Sequence, residues 1–196
     1  MYDNVLALIR RFFYGINISI SSLGYLFFGI EHICRKLEHS DSYMTIKLLQ
    51  KFGVHLGDGT NFKGSLIIDN ASKDKNSTND FSHLSIGNRC YIGKKVFFDL
   101  PDTITLHDEV VVSAGVTFLS HADCGNRLMG EYYPRKIGPI VVGKGSWIGA
   151  NATILCNVSL GEMCVVAAGS VVTRSFGDNE IIGGIPATKI GTLREK

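Results

Sequence analysis

The chain has 196 residues, 45% of them hydrophobic and 19% charged, and 20 Lys and Arg against 18 Asp and Glu leave a net charge of +2. That length admits one sizeable domain with an appendage. The composition excludes a disordered chain, and so small and scattered a positive excess excludes a basic-patch nucleic-acid binder.

The first segment, residues 1–52, reads as helical. Within it Phe12 to Ile30 carries no charge and lies between Arg10-Arg11 and Arg35-Lys36. Its 19 residues could reach across a bilayer. Asn17, Ser19, Ser21 and Ser22 argue against a span, and Gly15, Gly24 and Gly29 weaken a lone helix. One or two helices packed on the main domain or on a neighbouring subunit are expected, with membrane contact through residues 12–30 as the alternative. No small-residue cleavage site closes the stretch, so no signal peptide is expected.

From residue 56 a six-residue period takes over. Aliphatic or aromatic residues open the hexads: Leu56, Phe62, Ile68; Ile86, Ile92, Phe98; Leu106, Val112, Phe118; Val142, Ile148, Ile154; Leu160, Val166, Val172. The fifth place is small or β-branched in most hexads, as at Thr60, Cys90, Val96, Val110, Ala152 and Ser170. Fifth and next first place are two apart, so in an extended strand both point the same way. The three residues between them must turn. Gly87, Gly93, Gly143, Gly149 and Gly161 follow the opening residue, and Gly115, Gly145, Asn151, Asn157 and Gly169 stand two places further on. Both sets are expected to supply the positive φ that corners need. Three strands and three corners make a triangular coil of about eighteen residues, and stacked coils make three parallel sheets around an aliphatic core. The fold expected is mainly β, a parallel β-helix of about five coils over residues 53–177, closed by residues 178–196.

Two stretches break the rhythm. Ala71 to Asp80, "ASKDKNSTND", is polar and reads as an exposed excursion. His121 to Ile140 is longer and mixed, and long loops on rigid scaffolds carry function disproportionately. Five cysteines (Cys34, Cys90, Cys124, Cys156, Cys164) without a CxxC suit reduced thiols in a cytoplasmic protein, with no disulfide framework and no metal site.

The hexads, "VVVSAGVTFLSH", "PIVVGKGSWIGANATIL" and "VVAAGSVVTRSF…IIGGIPATKIG" resemble the hexapeptide-repeat acyltransferases, in the branch of galactoside, maltose, streptogramin and surface-polysaccharide O-acetyltransferases. The resemblance covers roughly residues 54 to 192. It implies a left-handed winding, against the usual right-handed crossover. It also implies acetyl-CoA as acyl donor and a homotrimer with active sites between adjacent subunits.

It further implies that His121 is the catalytic base, a role imidazole suits because it titrates near neutral pH. Trp147 would line the acetyl and pantetheine end of the channel. Ala150 stands where some relatives have Ser, so an oxyanion donor there would be its backbone N–H. Ala168, Gly169 and Thr173 would lie along the pantetheine arm. Arg174 and Lys189 would meet the coenzyme phosphates, although some relatives carry Arg at the place of Thr188. Asp99 binds the acceptor, orients His121 or caps a corner. Arg127, Tyr132, Tyr133 and Arg135 in the loop are candidate sugar contacts. Cys124 invites a covalent alternative, but no base and orienting group around it can be read from the sequence.

Leu100 stands where serine acetyltransferases keep a catalytic His, which argues against serine as acceptor. The Asn that fixes the acceptor in galactoside acetyltransferases falls at Gly93–Lys95 and is unmatched. The expected activity is O-acetylation of a carbohydrate hydroxyl by direct transfer, on a surface polysaccharide, its sugar precursor or a lipid-linked acceptor. The expected place is the cytoplasm, at the inner face of the membrane if residues 12–30 touch lipid. N-acetylation of an amino sugar and a non-catalytic β-helix that only binds are the alternatives.

Overall fold

The computed structural model describes residues 2–193, with side chains from residue 12 onward. Residue 1 and residues 194–196, the ends of the expected 1–52 and 178–196 segments, lie outside the described residues.

Three helices precede the β structure: α1 (Tyr2–Phe28), α2 (Ile30–Leu37) and α3 (Ser42–Lys51). The uncharged stretch Phe12 to Ile30 is therefore not one element. Gly29, at φ +65°, ends α1 and turns the chain into α2, a backbone conformation Gly adopts without steric cost. Among the described residues no helix is long and apolar enough to cross a membrane. Helix α2 buries Ile30, Ile33, Cys34 and Leu37, the three-and-four spacing of a core-facing stripe. Helix α3 starts at Asp41, whose carboxylate accepts from the Met44 N–H at 2.9 Å and so satisfies an orphan donor of the first turn. Helices α2 and α3 pack on the first coil.

The coils begin at His55. The first sheet stacks His55–Leu56, Leu84–Ile86, Ile104–Leu106, Ile140–Val142 and Ser159–Leu160 in parallel. The third stacks Leu66–Asp69, Val96–Asp99, Thr117–Leu119, Thr153–Leu155 and Val171–Val172. The second runs from Asn61–Phe62 to Val165–Val166 and is closed by an antiparallel pair, Glu180–Gly184 and Ala187–Thr192. All fifteen predicted opening residues line the interior, fourteen fully buried and Leu56 half-buried against the core. The named fifth-place residues are buried as well. Phe98 and Phe118 stack with centroids 5.1 Å apart, so successive coils interlock through side chains as well as backbone.

The corners correct one expectation. The left-handed conformation falls at the fourth place of the hexad, and not only at Gly or Asn: Arg89, Lys95, Glu109 and Met163 adopt it too. The second-place glycines lie outside that region and serve coil stacking instead. In the first coil both duties appear side by side. Gly59 has φ +72°, whereas a Cβ on Gly57 would stand 2.5 Å from the Asn88 N of the next coil.

Both excursions leave from the end of the third sheet. The first is not simply exposed: Ala71 is buried and the Ser77 hydroxyl donates to the Asn70 carbonyl. The second opens as a two-stranded antiparallel ribbon, His121–Ala122 with Lys136–Ile137, and carries a one-turn helix at Met129–Tyr132.

Candidate active site

His121 stands at the base of the long excursion, two residues past the strand Thr117–Leu119. Asp99 ends the strand one coil below. Its Oδ2 lies 2.6 Å from His121 Nδ1 and also accepts from the His121 backbone N–H at 3.2 Å. Its Oδ1 accepts from the Asn70 side-chain amide at 2.8 Å. Asn70 is the residue after the strand one coil lower still, in the left-handed conformation. Three successive coils thus deliver Asn70, Asp99 and His121 as one hydrogen-bonded column. Ser120 braces it by donating to the Asp99 carbonyl and accepting from the Asp102 N–H.

Asp99 is only 1% exposed. A carboxylate accepts and does not donate, so Nδ1 of His121 is the donor to Asp99, and Nε2 is the ring nitrogen that Asp99 does not engage. The arrangement fits Asp99 as the group that orients His121. It corrects the expectation that Asp99 binds the acceptor, because Asp99 is buried behind the imidazole with both oxygens engaged.

Around the imidazole the two excursions meet. Donor atoms of Asp74, His121 and Asp123 lie within 4.8 Å of one another. Arg135 grips Asp74 with two bonds of 2.7 and 2.8 Å and reaches Asp123 at 2.8 Å, the fork geometry that guanidinium favours. The cation that this grouping holds is the Arg135 guanidinium. Its hydrogen bond, more than any other contact, keeps the Asp74 carboxyl below the ordinary carboxylate range, and the same bond does so for Asp123. Arg135 is therefore a tether between two loops and not an open sugar contact.

The other loop candidates stand further out. Tyr132 is exposed, Tyr133 lies under the Lys136 ammonium at 4.8 Å, and Arg127 donates to the Cys124 carbonyl at 2.9 Å. A wide, open depression is lined by Gly125 to Glu131. Cys124 is half-buried and lies 3.8 Å from the Tyr133 carbonyl, with neither a base nor an orienting group in that contact.

The expected donor-side residues fall elsewhere. Trp147 is 52% exposed, and its indole N–H donates to the Ser113 hydroxyl at 3.0 Å. Ala150 and Gly169 stack at the corner where the second sheet hands over to the third, joined by the Gly169 N–H to the Ala150 carbonyl at 2.8 Å. Ala168 lies in that corner too, its N 2.6 Å from where a Cβ on Gly149 would stand. His121 lies at the opposite edge of the third sheet. Leu119 pairs with Leu155, so His121 is level with Asn157, seven residues from Ala150. The strand Thr153–Leu155 lies between them, and with its flanks, at about 3.3 Å per extended residue, it keeps the two edges about 10 Å or more apart. One chain does not bring His121 together with Trp147 and Ala150. Thr173 and Arg174 follow the last strand of the third sheet, on His121's edge, with the Arg174 guanidinium 5.4 Å from the Phe176 ring centroid. Lys189 lies in the closing pair of the second sheet and is bound to Glu180 at 2.8 Å.

Asn70, Asp74 and Ser120 join the site without a motif to mark them. The signal for Asn70 and Asp99 lies in register: each follows or ends the third strand of its coil, as His121 nearly does.

The profile of the family described as hexapeptide repeat of succinyl-transferase matches residues 83–118 and 139–174. The galactoside O-acetyltransferase of Escherichia coli is 29% identical over 125 residues, 58% of this chain and 59% of that one. The chain spans under two thirds of the length of such curated relatives. Among solved structures, a hexapeptide-repeat-containing acetyltransferase of Vibrio cholerae superposes with a TM-score of 0.71 at 22% identity, over 84% of this chain and 89% of that one. A galactoside acetyltransferase in complex with coenzyme A gives 0.64 at 20% identity, over 84% and 78%. These likenesses make the coil a left-handed parallel β-helix. Over the matched residues the chain is similar to hexapeptide-repeat acyltransferases.

Proposed function

We propose that the protein is an acetyl-CoA-dependent O-acetyltransferase that acts on a carbohydrate hydroxyl as a homotrimer. The observation that carries this reading is the column ending in His121, held by a buried carboxylate through Nδ1 with Nε2 free. That is a general base aimed from a rigid coil. The acceptor hydroxyl gives its proton to Nε2 as its oxygen attacks the thioester carbonyl. Asp99 stabilises the imidazolium that forms. The tetrahedral oxyanion is met by the Ala150 backbone N–H of an adjacent subunit. Collapse expels the coenzyme thiolate, which recovers the proton from His121.

The separation of His121 from Trp147 and Ala150 favours a site shared between subunits, because no single chain supplies both halves. Acetyltransferase relatives, one of them in complex with coenzyme A, support the donor. An open depression that Arg127 lines, with exposed Tyr132 and Tyr133 in the same loop, suits a large glycan, a surface polysaccharide or its precursor. Residues 53–177 would form the catalytic unit, with residues 1–52 packed beneath it.

Incubation with acetyl-CoA and a panel of glycans and amino sugars, with free thiol as readout, tests the proposal. Thiol release that depends on an acceptor, with a product cleaved by mild base, is expected. A base-stable product would place the acetyl group on nitrogen, and release independent of every acceptor would contradict the reading.

A further inference from the structure

Helix α1 is packed the wrong way round for a helix in water. It meets α2, α3 and their flanks through Tyr14, Ser21, Ser22 and Tyr25. Tyr14 donates to Asp41 and lies against Tyr43, Lys51 donates to Ser22, Ser21 is buried, and Tyr25 lies 5.0 Å from the Phe52 ring. Gly24 makes room there for the His32 ring. Much of this inner face is polar or small. The outer face carries Phe12, Phe13, Ile16, Ile20, Leu23 and Phe27, at the three-and-four spacing of one stripe, and every one is exposed. Leu26 and Phe28 flank it, 76% and 65% exposed. So long an apolar stripe marks an interaction surface.

Charge decides what covers it. Beyond Phe28, a shallow pocket is lined by His32, Arg35, Lys36 and His39. At the other end Arg10 and Arg11 adjoin Phe12 in the sequence. Among nearby acids, Glu31 is paired with Lys73, while Asp41 takes only a hydroxyl from Tyr14 and stays an anion beside Glu38. The stripe thus ends in paired phenylalanines, and beyond Phe28 in cations. Two copies joined in parallel along this face would set Arg35 and Lys36 beside the same cations of the other copy. An anionic bilayer would set phosphates there instead, with the phenylalanines at the level of the headgroups. Since no described helix is long and apolar enough to cross a membrane, the helix suits a position in the interface, parallel to the surface. We propose that α1 docks the protein onto an anionic lipid surface through Phe12, Ile16, Ile20, Leu23 and Phe27, with Arg35 and Lys36 on the headgroup phosphates. This inference does not rest on the chemistry of His121.

Flotation of the full chain with lipid vesicles tests it. The protein should float with phosphatidylcholine–phosphatidylglycerol vesicles, at least tenfold less with phosphatidylcholine alone, and less as salt is raised. An I20E/L23E variant, altered only at exposed positions, should lose flotation at least tenfold while its mass by light scattering and its acceptor-dependent thiol release stay unchanged. An R35E/K36E variant should lose the preference for anionic lipid. A wild-type chain that floats with neither vesicle would overturn the proposal. So would an I20E/L23E variant whose assembly mass falls while wild-type flotation is absent, since that would make the stripe a contact between copies.

Discussion

Asp99 Oδ2 accepts from both the ring Nδ1 and the backbone N–H of His121. One buried carboxylate oxygen therefore fixes both the ring and the chain that carries it. Asp99→Asn keeps the size but offers a neutral amide, which can present N–H where Nδ1–H needs an acceptor. We predict a fall in kcat of about 10²-fold or more, with KM for acetyl-CoA unchanged. Asn70→Ala removes only the support behind Asp99 and should cost less than Asp99→Asn, about tenfold, the low end for a hydrogen bond to a charged group. Steady-state kinetics of the two variants check the order.

The Arg135 tether has an acid limit. Arg135 lowers the Asp74 carboxyl below its ordinary value. A depressed carboxylate contributes stability that is fully present above its unfolded pKa of about 3.9 and is lost as pH falls through the lower folded value. The two excursions should stay joined from neutral pH to about pH 4 and part only below it. Arg135→Met should part them at any pH, since it leaves Asp74 and Asp123 facing each other unpaired. Hydrogen exchange across residues 122–136 should then rise about tenfold or more, consistent with a loss of about 1–3 kcal/mol. Unchanged protection in that variant would contradict the tether.

The two kinds of corner glycine should differ in what they cost. Gly57→Ala drives a Cβ into the backbone of the next coil and should destabilise by about 3 kcal/mol. Gly59→Ala meets only the flexible stem of Arg89 at 3.4 Å and bears the left-handed penalty of about 1 kcal/mol. Denaturant unfolding measures both.

Thiol chemistry separates direct transfer from a covalent route. Burial pushes the Cys34 thiol up to about 12 and raises Cys90 and Cys164 as well, so these should resist alkylation in the folded protein. Cys124 and Cys156 are half-buried and should label first. Cys124→Ser should retain full transfer activity; an acetylated Cys124 trapped by mass spectrometry would contradict direct transfer.

The coil was legible because its signal is periodic. A residue every six positions has no other regular fold to serve, and every opening residue from Phe62 to Val172 is buried as that period requires. His121 was legible as a candidate because it stands where the rhythm stops. Of its supports only Asp99 was, as one of three alternatives. Asn70 meets Asp99 across 29 residues and Asp74 meets Arg135 across 61, through contacts of the excursions, which carry no period. The orientation of α1 was hidden for a related reason. Composition marks Phe12 to Ile30 as apolar, but only packing tells that Ser21, Ser22 and Tyr25 face inward and the phenylalanines outward.

The most direct measurement is the transfer rate of His121→Ala under single-turnover conditions, with coenzyme A binding and assembly mass recorded on the same sample. His121 is partly exposed and its loss leaves the coil core intact, so folding, mass and coenzyme binding should persist. If His121 is the general base, transfer should fall by about 10²–10⁴-fold. A His121→Ala protein that transfers acetyl at the wild-type rate would contradict the account.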